Sequence, residues 1–386
     1  MVVRGRTGAA LILAGAVTLV AVACGTDEPE PAAPATTDAP PTTDAPAGTA
    51  PTTAPATTEP PSTAPPTTTD APAPTTFDVE VATINVLHGF PAASDCAPET
   101  DQCNAPLRAE LIWRMLDEQA GCPEIVALQE IDARWAEIVP ALLPELCGGG
   151  YELLFTPVGS PDQEMILTTL PVIEHARTPL AGGPVWSAHW AQLDVGDGLV
   201  VDVFATHYAS SALNLPCMDN PFDPCSAACP LDMTMGDCHP IQTIEFLDAR
   251  TATGSMQLVI GDLNAVIDSD RLAPLLDDGF VDTHQVAGNP ECPPDGGPTC
   301  TTGIGSGFDT DFAGLDVAET VPRRRIDFVL AKAPAGCEIV VDAADGDADG
   351  TRTGVWASTP FEEPVDGLFW AADHAGIQAD IGLDCG

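Results

Sequence analysis

The chain is poor in basic residues: 13 Lys and Arg stand against 57 Asp and Glu in 386 positions. Setting aside the seven acids and two arginines before residue 77 leaves 50 acidic and 11 basic residues, about −39. A surface of that sign repels polyanions at long range, which counts against a processive or high-affinity nucleic-acid binder. Salt and divalent cations would screen part of it, and a saline habitat explains the same composition equally well. No second low-complexity break follows residue 76, so nothing divides the remaining 310 residues into separate domains. Tight Cys-x-x-Cys pairs are also missing. Cys217, Cys225, Cys229 and the Cys238-His239 pair have the residue types of a structural zinc site without its spacing.

What is present begins with an export signal. Arg4 and Arg6 precede an apolar run from Ala9 to Ala23, and Cys24 follows directly. A cysteine at that boundary suggests a bacterial lipoprotein in which Cys24 is lipidated, although Ala21-Val22-Ala23 lacks the leucine usual three residues earlier; ordinary secretion is the alternative. Residues 25–76 are almost wholly Pro, Thr and Ala with a few acids, too little apolar surface to offset chain entropy, and are expected to form an extended tether. The expected organisation is 1–24 signal, 25–76 tether and 77–386 folded domain, outside the cytoplasm and touching membrane only through a lipid; a monomer is expected, though no sequence feature sets the oligomeric state. Twelve further cysteines, all in 77–386, fit an oxidising compartment with up to six disulfides. Cys96/Cys103, Cys122/Cys147, Cys292/Cys300 and Cys337/Cys385 are plausible local pairs.

Apolar periodicity places strands at Phe77–Val86, Glu124–Leu128, Tyr151–Phe155, Met165–Thr168, Trp186–Leu193, Leu199–Thr206, Met256–Ile260, Ile326–Leu330, Ile339–Val341 and Ala375–Ile381. Helical spacing marks Ala105–Gln119, Ala133–Leu146 (interrupted at Pro140 and Pro144), Ile241–Arg250 and a short helix near Arg271–Leu276. Strands outnumber helices, yet helices fall between several of them, which suggests mixed sheets covered by helices.

Four polar clusters sit beside the apolar runs: Gln129-Glu130, Thr206-His207, Gly261-Asp262-Leu263-Asn264 and Asp373-His374. Together they supply hard oxygens for a metal, a carboxylate able to take a proton from water, and imidazoles able to stabilise a phosphorane or protonate a leaving oxygen. The i, i+2 spacing of Asp262 and Asn264 puts both on one side of an extended chain. Singly, each cluster has a plain alternative: a capping acid at Glu130, an Asx turn at Asp262, a structural histidine at His207 or His374.

Taken in order, Ile84-Asn85-Val86-Leu87-His88-Gly89, Leu128-Gln129-Glu130, Thr206-His207, Gly261-Asp262-Leu263-Asn264, Arg325-Ile326-Asp327-Phe328 and Asp373-His374 resemble the endonuclease/exonuclease/phosphatase superfamily. Met165-Ile166-Leu167-Thr168-Thr169-Leu170-Pro171-Val172 also looks like the middle strand of that family. The resemblance implies an α/β (α+β) four-layer sandwich, two mixed β-sheets packed face to face and flanked by helices. It implies Mg²⁺ (or Mn²⁺) held by Asn85 and Glu130 with Asp373 close, Asp262 as the base, and Asn264 positioning water or phosphate. His207 and His374 would stabilise the phosphorane, Asp327 would orient His374, and Asp162 or Glu164 would orient His207. The chain departs from nuclease members where Asp132 stands in place of a phosphate-binding arginine, and Tyr151 and Tyr208 offer no counterpart of the abasic-site tyrosine. No aromatic hairpin of a membrane-penetrating sphingomyelinase is visible, so the phosphoester substrate class stays open. A non-catalytic surface-binding lipoprotein keeps the fold without the chemistry.

Two features stand apart. Asp345-Gly346-Asp347-Ala348-Asp349-Gly350 matches the start of a calcium loop, with Trp356 where the twelfth-position Glu belongs. A structural Ca²⁺ on Asp345, Asp347 and Asp349 competes with an exposed acidic turn. Arg323-Arg324-Arg325 is the one basic cluster, and Arg325 could clamp a substrate phosphate or partner neighbouring acids.

Overall fold

The computed structural model describes residues 78–87, 101–158, 162–196, 198–210, 214–217, 225, 229–250, 254–304, 314–341 and 353–386. The leader, Cys24, the tether, Cys96 and the Asp345/Asp347/Asp349 loop lie outside the described residues. In chain order the elements are β1 (Asp78–Asn85), α1 (Asp101–Glu118), β2 (Ile125–Gln129), α2 (Trp135–Leu142), β3 (Glu152–Leu154), β4 (Met165–Thr168), β5 (Val172–Leu180), β6 (Gly183–Gly196) and β7 (Leu199–His207). After these come α3 (Met235–Arg250), β8 (Met256–Asp262), α4 (Ala273–Asp277), β9 (Val281–Asp282), α5 (Thr283–Val286), β10 (Asp327–Lys332), β11 (Cys337–Val341), β12 (Gly354–Trp356) and β13 (Gly376–Cys385).

Two mixed sheets result. One runs β11-β13-β1-β2-β4-β3, with β12 also on β13; the other runs β5-β6-β7-β8-β10-β9. Among the described strands the parallel pairs are β1/β2 and β7/β8, and the chain between each pair contains a helix, α1 or α3. Every other named pairing is antiparallel.

Strand alternation explains the layering. Val79 and Val81 of β1, Ile125 and Ala127 of β2, Val201 and Val203 of β7, Leu258 and Ile260 of β8, and Ile377 and Ala379 of β13 share one buried cluster between the sheets. Their neighbours in register, such as Ala82, Ile84, Val126 and Leu128, pack outward against Ile112, Leu116 and Trp135 of α1 and α2. On the second sheet Trp190, Phe204, Val259 and Phe328 pack outward with Leu247 of α3 and Leu275 of α4. The order is helices, sheet, sheet, helices: the four-layer sandwich expected from the motifs. Within the second sheet Gly261 lies at φ +131, and a Cβ there would sit 2.0 Å from the Thr206 carbonyl oxygen. Only glycine lets β7 and β8 approach this closely one residue before Asp262.

Several boundaries differ from the periodicity reading. Strand β4 is Met165–Thr168 as the periodicity has it, but the stretch to Val172 that looks like the family's middle strand is not one strand, and β5, unmarked by periodicity, begins at Val172 as an edge strand of the other sheet. Its exposed Ile173, Glu174 and His175 hide the pattern of a half-buried strand. Helix α3 starts six residues before Ile241, because Met235–Pro240 are anchored by the Cys229–Cys238 disulfide. Pro144 ends α2, and the chain goes on as a 3₁₀ turn over Leu143–Gly148. Cys122–Cys147, Cys292–Cys300 and Cys337–Cys385 are bridged as expected. Cys217–Cys225 and Cys229–Cys238 are bridged as well, which replaces the zinc reading, since a disulfide sulfur has no thiolate to give a metal.

His239 on α3 ties that helix to the second sheet. Its Nδ1 accepts from the Ala209 N–H (3.2 Å) and its Nε2 donates to the Ala181 carbonyl (2.8 Å), an arrangement that fits only the neutral ring. Burial pushes its pKa down to about 4. The unfolded chain takes up that proton near pH 6.5, so this histidine's stabilisation is complete above 6.5 and lost as pH falls toward 4. His239→Gln keeps a donor and an acceptor without titrating. We expect it to lose less stability than wild type on acidification, by up to ~1.4 kcal/mol per pH unit. Parallel pH dependence of the two denaturation midpoints would contradict this.

Candidate active site

Strand register assembles the site. In the second sheet His207 of β7, Asp262 of β8 and Asp327 of β10 are direct cross-strand neighbours, a row of three at one edge. In the first sheet Asn85 of β1 pairs with Gln129 of β2, and Glu130 follows. Strand β13 runs antiparallel to β1 with Ile377 opposite Thr83, so Asp373-His374, just before its first residue, lies at the same end as Asn85. The carboxyl ends of both parallel pairs thus face one place, where α/β sheets commonly bind ligands. The two rows meet directly: Asn85 Nδ2 donates to Glu130 Oε1 (2.9 Å) and to Asp262 Oδ2 (3.3 Å).

Backbone strain concentrates here. Leu87 (φ +53), Glu130 (φ +62) and Asn264 (φ +48) are non-glycine residues in the left-handed region, each within two residues of a strand end. Such conformations cost on the order of 1 kcal/mol and persist where surrounding contacts hold them. Asn264 is held by its N–H to Asp262 Oδ1 (2.8 Å) and its Nδ2 to the Tyr208 carbonyl (2.9 Å), with Nδ2 also 2.9 Å from His207 Nε2.

Two histidine–carboxylate dyads flank Asp262. His207 Nδ1 lies 3.0 Å from Asp162, and His374 Nδ1 lies 2.9 Å from Asp327 Oδ2. The opposite ring nitrogens point at Asp262 Oδ2, at 3.5 Å from His207 and 3.8 Å from His374. Of the two acids considered for His207, Asp162 is the partner; Glu164 instead accepts from Ser187 Oγ (2.6 Å). Burial would lower both histidines, but the surrounding carboxylates outweigh it. Asp162 and Asp262 hold His207 well above its usual range, while Asp327, Asp373 and Asp262 hold His374 at about 10. Burial and Asp327 raise Asp262 to about 6, and burial and Glu130 raise Asp373 to about 6.

Glu130 and Asp373 offer hard carboxylate oxygens of the kind that Mg²⁺ or Mn²⁺ takes, while Asn85, whose Oδ1 accepts from the Leu87 N–H (3.0 Å), would have to turn its amide to add a third. Asp373 Oδ1 is buried with no hydrogen-bond partner, an oxygen available for coordination. Asp262, Asp327 and His374 also bring ligand atoms within 4.8 Å of one another. The 2.9 Å bond between His374 and Asp327 commits those two to each other.

Sequence reading missed Arg108. It is fully buried on α1 and donates to the carbonyls of Val86 (2.5 Å) and Leu87 (2.6 Å), with Asp373, Glu130 and Asp132 as its nearest charges. The signal was available: Arg108 shares the apolar stripe of Ile112, Met115 and Leu116 at i, i+4, i+7 and i+8, where a charge needs a buried partner.

No protein-family model and no curated protein matches the sequence. Solved structures do match. A Bacteroides thetaiotaomicron endonuclease/exonuclease/phosphatase family protein superposes with TM-score 0.54 over 81% of this chain and 100% of that one, at 15% identity. Truncated TDP2 of Caenorhabditis elegans gives 0.50 over 79% and 97%, at 16% identity. TDP2 of D. rerio, complexed with single-strand DNA product, gives 0.50 over 79% and 98%, at 14% identity. The fold is that of the endonuclease/exonuclease/phosphatase proteins.

On that fold Arg325 is not free to clamp a phosphate. Its side chain is wholly buried, with Nη2 2.6 Å from Asp282 and 2.5 Å from Glu291, and its guanidinium lies over Phe328. The expectation of a substrate contact at Arg325 is corrected to an internal ion pair, its two acids having claimed the fork. Arg325→Met should lower stability by ~3–5 kcal/mol, because Asp282 is left buried without its countercharge. Chemical denaturation would show it as a shifted midpoint, and an unshifted midpoint would refute the pairing.

Proposed function

We propose that this protein is a divalent-metal-dependent phosphoesterase acting outside the cytoplasm, hydrolysing a phosphodiester or phosphomonoester by in-line attack of water. The observation that carries the reading is the convergence of two His–Asp dyads on Asp262, 3.5 and 3.8 Å from its Oδ2, beside the Asn85–Glu130 pair. Six short motifs scattered over almost 300 residues contribute to this one constellation, and the shared fold supports a phosphoester hydrolase.

In this reading Asn85, Glu130 and Asp373 hold Mg²⁺ or Mn²⁺, which when bound supplies charge neutralisation at a phosphoryl oxygen. Asp262 accepts the proton of the attacking water, and a carboxyl raised toward neutrality suits a base near pH 7. Asn264, locked in the left-handed region with its Nδ2 on the Tyr208 carbonyl, would meet water or phosphate through its Oδ1. His207 and His374 present N–H groups to the oxygens on which charge develops, and one of them delivers a proton to the departing oxygen. Asp162 and Asp327 hold the two rings in register.

Substrate class divides into small or lipid phosphoesters and nucleic acids. The net charge of about −39 over residues 77–386 favours the former. The single-strand DNA product in the D. rerio TDP2 crystal favours a nucleic-acid end as the alternative. The deciding assay sets plasmid DNA, sphingomyelin and sugar phosphates side by side with Mg²⁺ at two ionic strengths. Turnover should vanish with EDTA, and Asp262→Ala should reduce kcat by ~10²–10⁴-fold. Full activity in Asp262→Ala, or no turnover of any substrate, would overturn the assignment.

Export by a lipid-modified Cys24 belongs to the same proposal. In a bacterial host that processes lipoproteins, the wild type should partition with membranes and Cys24→Ala should not. Equal partitioning of the two would reject the anchor.

A further inference from the structure

One hydroxyl reaches the site from a loop that has its own bracing. After α5 the chain passes Glu291, which Arg325 grips through Nε (3.0 Å) and Nη2 (2.5 Å), and then closes on itself through Cys292–Cys300. Immediately beyond, the Thr301 and Thr302 N–H groups donate to the Arg324 carbonyl at 2.7 and 2.9 Å. The Arg323 N–H donates to the Thr302 carbonyl at 2.7 Å, and the Ala375 N–H to the Thr301 carbonyl at 2.6 Å. Thr301 Oγ accepts from the N–H groups of Ile326 and Asp327. The Thr301-Thr302 dipeptide is therefore stitched between the two segments that carry Asp327 and His374.

Backbone bonds already hold Thr302, so its side chain is not needed to anchor the loop. Its Oγ lies 3.1 Å from His374 Nε2. That ring nitrogen faces Asp262, the other being engaged by Asp327. A hydroxyl rotates freely between donating and accepting, whereas a phosphoryl group offers only acceptor oxygens. A phosphoryl oxygen seated against Nε2 would be flanked by Oγ, with a second oxygen within its reach.

We propose that Thr302 is a substrate-contacting residue, its Oγ–H donating to a non-bridging phosphoryl oxygen beside the one taken by His374. This deepens the phosphoesterase reading and rests on it. The Cys292–Cys300 bridge and the Arg325–Glu291 pair act behind Thr302 as positioning elements, which gives the buried Arg325 a purpose at the site without touching substrate.

The experiment compares wild type, Thr302→Val and Thr302→Ser with Mg²⁺. It measures kcat/KM on bis(p-nitrophenyl) phosphate, the pH–rate profile, and the affinity for inorganic phosphate by calorimetry. Val keeps the shape without the hydroxyl. It should lose roughly 10- to 100-fold in kcat/KM and weaken phosphate binding, with the pH profile unmoved, while Ser stays near wild type. If wild type turns over and Thr302→Val stays within about twofold, the Thr302 assignment fails and the hydrolase reading stands. A shifted pH profile with unchanged phosphate affinity would make Thr302 a positioning residue for His374 and overturn the contact. If wild type binds phosphate without turnover, weaker binding by Val keeps Thr302 as an anion contact while the hydrolase reading falls. Neither binding nor turnover in wild type rejects both.

Discussion

Carboxylate crowding where two sheets meet is the constraint on which the rest of this structure depends. Glu130, Asp262, Asp327 and Asp373 converge at the aligned strand ends; Asp262 and Asp327 are buried and Asp373 is half-buried. Like charges this close in a medium of low polarity repel strongly, and burial adds its own penalty for each ionised group. The fold brings three cationic or protonatable groups into the same volume: His207 and His374 from the strand ends and Arg108 from beneath α1. Arg108 serves two ends at once. Its bonds to Val86 and Leu87 fix the backbone beyond Asn85, and its charge opposes those of Glu130 and Asp373. A bound divalent cation, in the proposed reading, would complete the same neutralisation on the open side.

The geometry that creates this crowd is inexpensive to specify. Each parallel pair needs only an apolar strand, a helical crossover and a second apolar strand, and residues at matching strand ends then arrive as neighbours. Gly261 sharpens the arrangement, because its missing side chain lets β8 close on the Thr206 carbonyl just before Asp262. That is why short motifs sufficed to foretell which side chains meet. Asn85, Glu130, His207, Asp262, Asp327 and His374 each adjoin an apolar run whose register brings them together, so local sequence encodes their meeting.

What stayed hidden depends on contacts made at a distance. Arg325 adjoins the motif that carries Asp327, yet its partners Asp282 and Glu291 are 43 and 34 residues earlier, and nothing nearby foretells that they claim it. Thr302 reaches His374 across 72 residues from a loop without periodicity. The Cys217–Cys238 segment had the composition of a metal site, and only the pairing of its sulfurs shows two bridges. Edge strand β5 was obscured because one flank of it meets solvent, where apolar alternation no longer applies. Layer order and strand-end chemistry were legible for the same reason: both are written in consecutive residues.

Four of the five buried histidines among the described residues show how environment, and not burial alone, sets the direction in which a ring titrates. His189 and His239 are enclosed and depressed to about 4, the first by burial with His175 and Arg177 beside it, the second by burial in spite of its bond to the Ala181 carbonyl. His207 and His374 are buried too and move the opposite way, since each has a carboxylate at Nδ1 and faces Asp262 with Nε2. Burial removes the same hydration from all four rings, so the sign of the shift follows from which side chains the strand ends supply. A ring between two acids can hold and release a proton, whereas a ring between a backbone donor and a backbone acceptor can only stay neutral. The division separates the two histidines at aligned strand ends from the two that brace the second sheet. It does so on grounds independent of any resemblance, and the two rings that hold a proton are the ones the carboxylates crowd.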